Sequence, residues 1–164
     1  MTTLNILRYP DPMLKRVCDP VKTIDHDLRM FIADMGETMV AKNGVGLAAP
    51  QVGKPLRLFL VDIWWKTTQQ YDKTLIFINP KITAFAGTQR EQEGCLSLPG
   101  IYEHVTRAKK VRVAAQDING NNFELEAEDF LAVVIQHELD HLNGTLTLDR
   151  ISPLARKMAA KKLA

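Results

Sequence analysis

Apolar positions recur with two different periods along the chain. Leu28, Phe31, Ile32, Met35 and Met39 stand at i, i+3, i+4, i+7 and i+11, the spacing of one helical face. Asp25 and Asp27 precede them and Asn43-Gly44 follows, which predicts a first helix between those signals. The run "LRLFLVD" (Leu56–Asp62) predicts a strand, and "TLIFINP" (Thr74–Pro80) a second, with "IWWKTTQQYDK" as a long hairpin loop between them. A further extended segment precedes "EQEGCLSLPG". The stretches "KKVRVAAQDING" and "NNFELEAE" flank Asn119-Gly120, a strong short hairpin signal. A second helix is predicted from Asp129 to Asn143, closed by Gly144. Phe130, Val133, Val134, His137 and His141 share one of its faces, and Leu131, Ile135, Leu139 and Leu142 fill another. A helix apolar on two sides is buried. Pro153 opens a short basic helix, and the proline-punctuated start, "NILRYPDPMLKRVCDPV", reads as an irregular arm over the core. Strands and helices do not alternate in βαβ units, so the expected class is α+β.

Composition narrows the possibilities without deciding among them. With 164 residues, 46% hydrophobic and 24% charged, one globular domain over 1–164 is expected. A net charge of +2 gives no argument for a nucleic-acid or membrane partner. There is no signal-like start and no run of about 18 apolar residues, so a cytoplasmic protein without a membrane span is expected. The two cysteines, Cys18 and Cys95, suggest free thiols in a reducing compartment.

The second helix carries the chemistry. In "QHELDHL", His137 and His141 lie one turn apart with Glu138 between them, the H-E-x-x-H pattern of two metal ligands and a general base. A lone helical histidine is usually a core residue satisfied by one hydrogen bond; two at ligand spacing around a glutamate favour a metal. A catalytic site of this type needs a third protein ligand and one open position. Downstream of His141 there is no histidine, cysteine or glutamate, and Thr147 stands where a metzincin would place its third histidine. The third ligand is therefore expected upstream, unless Asp149 folds back. Cys95, held between Gly94 and Pro99-Gly100, leads Cys18, His104 and His26, because a thiolate binds strongly and a neighbouring glycine lets the backbone approach.

The segment "GVGLAAPQVG" mimics a dinucleotide fingerprint, but a helix precedes it and Pro50, Gly53 and Pro55 forbid one after it. An extended segment along which a peptide could lie as an added strand remains, with Gln51 offering a side-chain amide. A buried, backbone-bonded glutamine is the plain alternative.

Taken together, "GVGLAAPQ", "EGCLSLPG" and "QHELDHL", in this order and at these separations, resemble the three motifs of the peptide deformylase family, and "ILRYPDPML" and "ISPL" resemble its ends. The resemblance implies an α+β fold in which small antiparallel sheets surround a central histidine-bearing helix. It implies removal of the formyl group from the N-terminal formyl-methionine of nascent peptides. Cys95, His137 and His141 would be the metal ligands, for ferrous iron natively or for zinc, nickel or cobalt. Glu138 would be general base and acid to a metal-held water. Gln51 and the Leu96 N–H would face the formyl oxygen. Val45, Gly46 and Leu47 would pair with the peptide, and Phe130, Val133 and Val134 would line the methionine pocket. Tyr102 falls where a number of relatives carry arginine, which leaves preference beyond methionine open. Arg107 and Asp140 are candidates to support the ligands, with ordinary ion pairing the equal alternative.

The rivals are a metallopeptidase cutting internal bonds, a cysteine hydrolase pairing Cys95 with His137, and a binding protein with a structural metal. A monomer is expected. The five basic residues from Arg150 to the end form a solvated helix in the plainer reading, and a ribosomal RNA contact in the sharper one.

Overall fold

The structure is a computed structural model and describes residues 2–164. Its organising element is a five-stranded antiparallel sheet in the order β1-β2-β3-β6-β7. The strands are β1 (Gly46–Ala48), β2 (Leu58–Val61), β3 (Leu75–Ala86), β6 (Lys110–Gln116) and β7 (Asn122–Glu128). A separate two-stranded ribbon pairs β4 (Gln89–Cys95) with β5 (Leu98–Arg107). The α+β expectation holds, and small antiparallel sheets do surround a buried helix.

β2 explains why its sequence shows no alternation. All four of its residues are buried, because both faces of the sheet are covered. Leu58 and Leu60 face α1 (His26–Ala41), packing with Phe31, Ile32, Met35 and Met39. Phe59 and Val61 face α3 (Asp129–Leu142), in a cluster with Phe77, Val111, Val113, Ile135 and Leu142. The Phe59 and Phe77 rings stack at 4.8 Å. α1 begins as its acidic start implies, with the Asp25 carboxylate accepting from the Leu28 N–H at 2.9 Å.

The helix α3 is buried along nearly all its length after Phe130, which stays exposed at its start. Gln136 pins it to the β5–β6 connection. Its amide accepts from the Ala108 N–H at 3.1 Å and donates to the Ala108 carbonyl at 2.9 Å. At the other end the N-terminal arm crosses the helix terminus, where the Cys18 N–H donates to the Leu142 carbonyl at 2.9 Å. Gly144 makes that crossing possible: its φ is +71°, and an added Cβ would collide with the Lys15 carbonyl. Gly144→Ala is expected to destabilise by at least about 1–2 kcal/mol from the left-handed backbone alone. Thermal unfolding should fall by several degrees; an unchanged midpoint would mean that the arm yields freely.

Element boundaries differ from the sequence expectation where packing extends a strand. β3 continues six residues past Pro80, because β6 pairs with it through two register shifts. The segment around Cys95 is itself strand β4, and the long hairpin loop contains a one-turn helix, α2 (Trp65–Thr68). "GVGLAAPQVG" is a short strand followed by a 3-10 turn over Ala49–Val52. The C-terminal helix α4 (Pro153–Leu163) packs through Ala159 against Leu14, Leu98, Ile101, Leu146 and Leu148. Of the five terminal basic residues, Arg150 bonds Asp140 and Arg156 bonds the Leu148 carbonyl, so two of them hold the fold. Among the described residues no helix is long and apolar enough to cross a membrane.

Candidate active site

Three elements meet at one point beneath a cavity of about 1000 Å³. α3 presents His137, Glu138 and His141; the β4 end presents Cys95; and the 3-10 turn after β1 presents Gln51. One ligand atom each from Cys95, His137 and His141 lie within 4.8 Å of one another. Cys95 Sγ is 3.5 Å from His141 Nε2, and the imidazole centroids are 5.1 Å apart. Of the upstream candidates for a third ligand, Cys95 is the one that stands beside the two histidines. Asp149 does not fold back, since it holds the Lys15 ammonium and the Leu146 N–H, each at 2.8 Å. Cys18 is a buried filler, and His26 and His104 are exposed elsewhere.

The orientation of His137 is set from behind. Its Nδ1 lies 2.9 Å from Glu93 Oε1, which leaves Nε2 for the cluster. Glu93 is gripped by Arg107 through two bonds of 2.6 and 2.9 Å, and Arg107 Nη1 reaches Asp140 at 2.9 Å. Arg150 closes the far side of Asp140. The chain alternates in sign and is buried up to Asp140, so each desolvated charge has an opposite partner, and Arg150 carries it to the surface. Arg107 therefore ties the ribbon to α3 at Asp140, the residue before His141. Burial opposes the charge on Glu93, but Arg107 and His137 outweigh it and hold its carboxyl below the usual carboxylate range. Burial also disfavours a charged His137, yet its bonds to Cys95 and Glu93 keep the ring well above an ordinary histidine. His141 goes the other way, pushed well below by burial and by the charge of His137.

Two buried polar atoms at this point, Glu138 Oε1 and His141 Nδ1, have no hydrogen-bond partner among the described residues. Burial pushes the Glu138 carboxyl up to about 7, with His137 working in the opposite direction. Such a carboxyl takes and returns a proton near neutrality. A soft thiolate, two imidazoles and an unpartnered acid suit a divalent transition-metal ion, and the cluster has the geometry to receive one.

Gln51 is buried and its amide has a fixed sense. Oε1 accepts from the Ala48 N–H at 2.9 Å, so Nε2 must face the cluster, 3.1 Å from Ser97 Oγ and 3.7 Å from Cys95 Sγ. One end of the amide is thus backbone-bonded while the other is directed at the Cys95 cluster. Leu96 follows Cys95 in the tight turn to β5 and lines the cavity.

Val45, Gly46, Phe130, Val133 and Val134 also line the cavity. A Cβ on Gly46 would come within 2.5 Å of Glu138 Oε2 and 2.9 Å of Val134 Cγ1, so only glycine lets β1 pass this close to the acid. The Leu47 side chain is buried against α1, which leaves its backbone to border the cleft. β1 is an edge strand, bonded to β2 on one side only.

The sequence profile described as Polypeptide deformylase matches residues 3–157. The chain belongs to that family. It is 48% identical to the peptide deformylase of Chromobacterium violaceum, over 99% of this chain and 95% of the relative. It is 47% identical to that of Wolinella succinogenes, over 98% and 95%. The crystal structure of a peptide deformylase from Legionella pneumophila superposes with a TM-score of 0.94 at 44% identity, covering 99% of this chain and 94% of that one. One from Synechococcus elongatus in complex with actinonin gives 0.91 at 40%, covering 99% and 87%. Peptide deformylases are metal-dependent hydrolases that remove the formyl group from nascent peptides, and this chain is an enzyme of that class.

Sequence reasoning missed Glu93, Ser97 and Arg150. Glu93 stands two residues before Cys95 on a strand, hence on the same face, and that spacing was its only signal. Arg150 had none, because its partner Asp140 lies back on α3, beyond the chain reversal at Gly144.

Proposed function

We propose that the enzyme acts on formyl-methionine at the start of newly made peptides, with the residues of this cleft in the following roles. Cys95, His137 and His141 hold one divalent cation, ferrous iron natively and zinc, nickel or cobalt in substitution. When bound, the cation acidifies a water molecule and polarises the formyl carbonyl. Glu138 takes the proton of the attacking water and hands it to the departing amine. Its position one residue from His137, with Oε1 buried and unpartnered among the described residues, supports that role. A neighbouring cation would draw its pKa down from about 7 and favour the proton-accepting form.

Gln51 Nε2 and the Leu96 N–H donate to the formyl oxygen as it gains charge. Both stand beside Cys95, and the Ala48 bond pre-orients the amide, so little reorganisation is needed. The open edge of β1, at Val45, Gly46 and the Leu47 backbone, pairs with the peptide main chain as an added strand. Val133 and Val134, with Phe130 at the rim, receive the methionine side chain.

The observation that carries this reading is the convergence of three ligand atoms within 4.8 Å beside a partnerless buried carboxylate. Formate release from formyl-Met-Ala-Ser, lost on chelation and restored by added metal, is the expected result. Cleavage of an internal, end-blocked peptide at a comparable rate would instead favour an endopeptidase. Gln51→Leu should lower kcat by about 10²–10³-fold with KM changed little, the pattern of a lost transition-state donor. A raised KM at unchanged kcat would place Gln51 in ground-state binding.

A further inference from the structure

The charged groups at the mouth of the cleft bear on which peptides it takes beyond the methionine. Arg8, Lys42 and Lys66 line the cavity and are exposed. Among the described residues none of the three takes part in an ion pair. The acids lining the same cavity are Glu93 and Glu138, and both are buried, with Glu93 held by Arg107 and His137. Tyr102, whose ring packs over Gly94 at the opposite wall, brings area without charge. Among the described residues that line the cavity, the exposed charges are therefore all cationic.

Lys42 and Lys66 sit at one end of β1. Lys42 lies just ahead of Asn43-Gly44, and the Trp65 indole N–H donates to the Gly44 carbonyl at 2.8 Å, which brings Lys66 beside the same stretch. The Lys66 ammonium rests 5.9 Å from the Trp65 ring centroid. At the other end of β1, Ala49, Pro50 and Gln51 are buried in the 3-10 turn and block any extension of a peptide in that direction. With its formyl group at Glu138, close to Gly46, a peptide on the β1 edge runs antiparallel, back past Gly44 toward Lys42 and Lys66. At about 3.4 Å per residue, the second and third residues after the methionine reach the rim.

We propose that Lys42, Lys66 and Arg8 select formyl-peptides carrying aspartate or glutamate at the second or third residue after the methionine, an inference that rests on the deformylase reading and the peptide direction above. The formyl group removes the positive charge that a free N-terminus would bring, so an acidic side chain meets the rim without an internal competitor. The contacts are exposed, so each is modest, and the effect enters chiefly through association and fades with salt.

The test compares formate release from formyl-Met-Ala-Asp-Ser and formyl-Met-Ala-Lys-Ser on the metal-loaded enzyme. At low ionic strength kcat/KM should favour the aspartate peptide by about fivefold, and the ratio should approach one near about 1 M salt. Lys42→Glu combined with Lys66→Glu should invert the preference, whereas Lys157→Glu, a charge reversal on α4, should leave the ratio as it is in the unmodified enzyme. Equal rates at low salt, a ratio that salt does not change, or a preference that survives the double reversal would overturn the inference. The salt series on the unmodified enzyme keeps the test decisive even if the double variant folds poorly. Failure to release formate from these peptides and from formyl-Met-Ala-Ser would overturn the deformylase reading instead.

Discussion

Cys95→Ala is expected to leave a folded protein that no longer retains its cation and has lost formate release altogether. Removing even an outer-shell partner of a metal ligand costs about 10–100-fold in affinity, and loss of the only anionic ligand should exceed that. The two remaining imidazoles sit on one helix and cannot enclose an ion by themselves. The fold should survive, because Cys95 is only partly buried and the ribbon it ends is held by its pairing with β5. Metal content after gel filtration, read beside far-ultraviolet circular dichroism, decides the matter. One equivalent of metal retained by a folded variant would place the third ligand elsewhere.

Glu138→Gln should give the complementary result, with the cation retained and kcat reduced by about 10²–10⁴-fold. The amide matches the carboxylate in size, so the approach of Gly46 is undisturbed, but it cannot accept the proton of the attacking water. The same variant has a stability signature in the metal-free protein. Burial raises the folded-state pKa of Glu138 to about 7 from a usual 4.5, so ionising it opposes folding. That opposition is absent below the unfolded-state value, grows between about 4.5 and 7, and is complete above it. Metal-free Glu138→Gln should therefore unfold at a higher temperature than the unmodified chain at pH 8, with the difference shrinking as pH falls through that window. A difference that grows toward acid would contradict the burial argument. A variant that loses its cation would move Glu138 from proton carrier to ligand.

Arg107 shows how far a local motif reaches. It could be named from the sequence as a possible support for the ligands, but nothing local chose between that and a surface ion pair. The fold decides by burying it between Glu93 on its own ribbon and Asp140 on α3. Glu93 was legible only as an acid near Cys95, because the partner that gives it a role is 44 residues away in His137. The facing of β1 follows from alternation, which turns Leu47 toward α1 and Gly46 toward α3.

Local chemistry determined the parts of this enzyme. A one-turn separation of two histidines, a glycine that stops the helix after them and alternating or continuous apolar runs set α1, α3 and the main strands, since each depends on residues within a few positions of one another. Only the tertiary structure decided that Cys95 stands beside the two histidines, that the Gln51 amide turns its donors toward Cys95, and that Lys42 and Lys66 share the mouth of the cleft. These relations join residues far apart in the chain, and their energies come from burial and charge pairing that exist only once the sheet, ribbon and α3 have closed around the site.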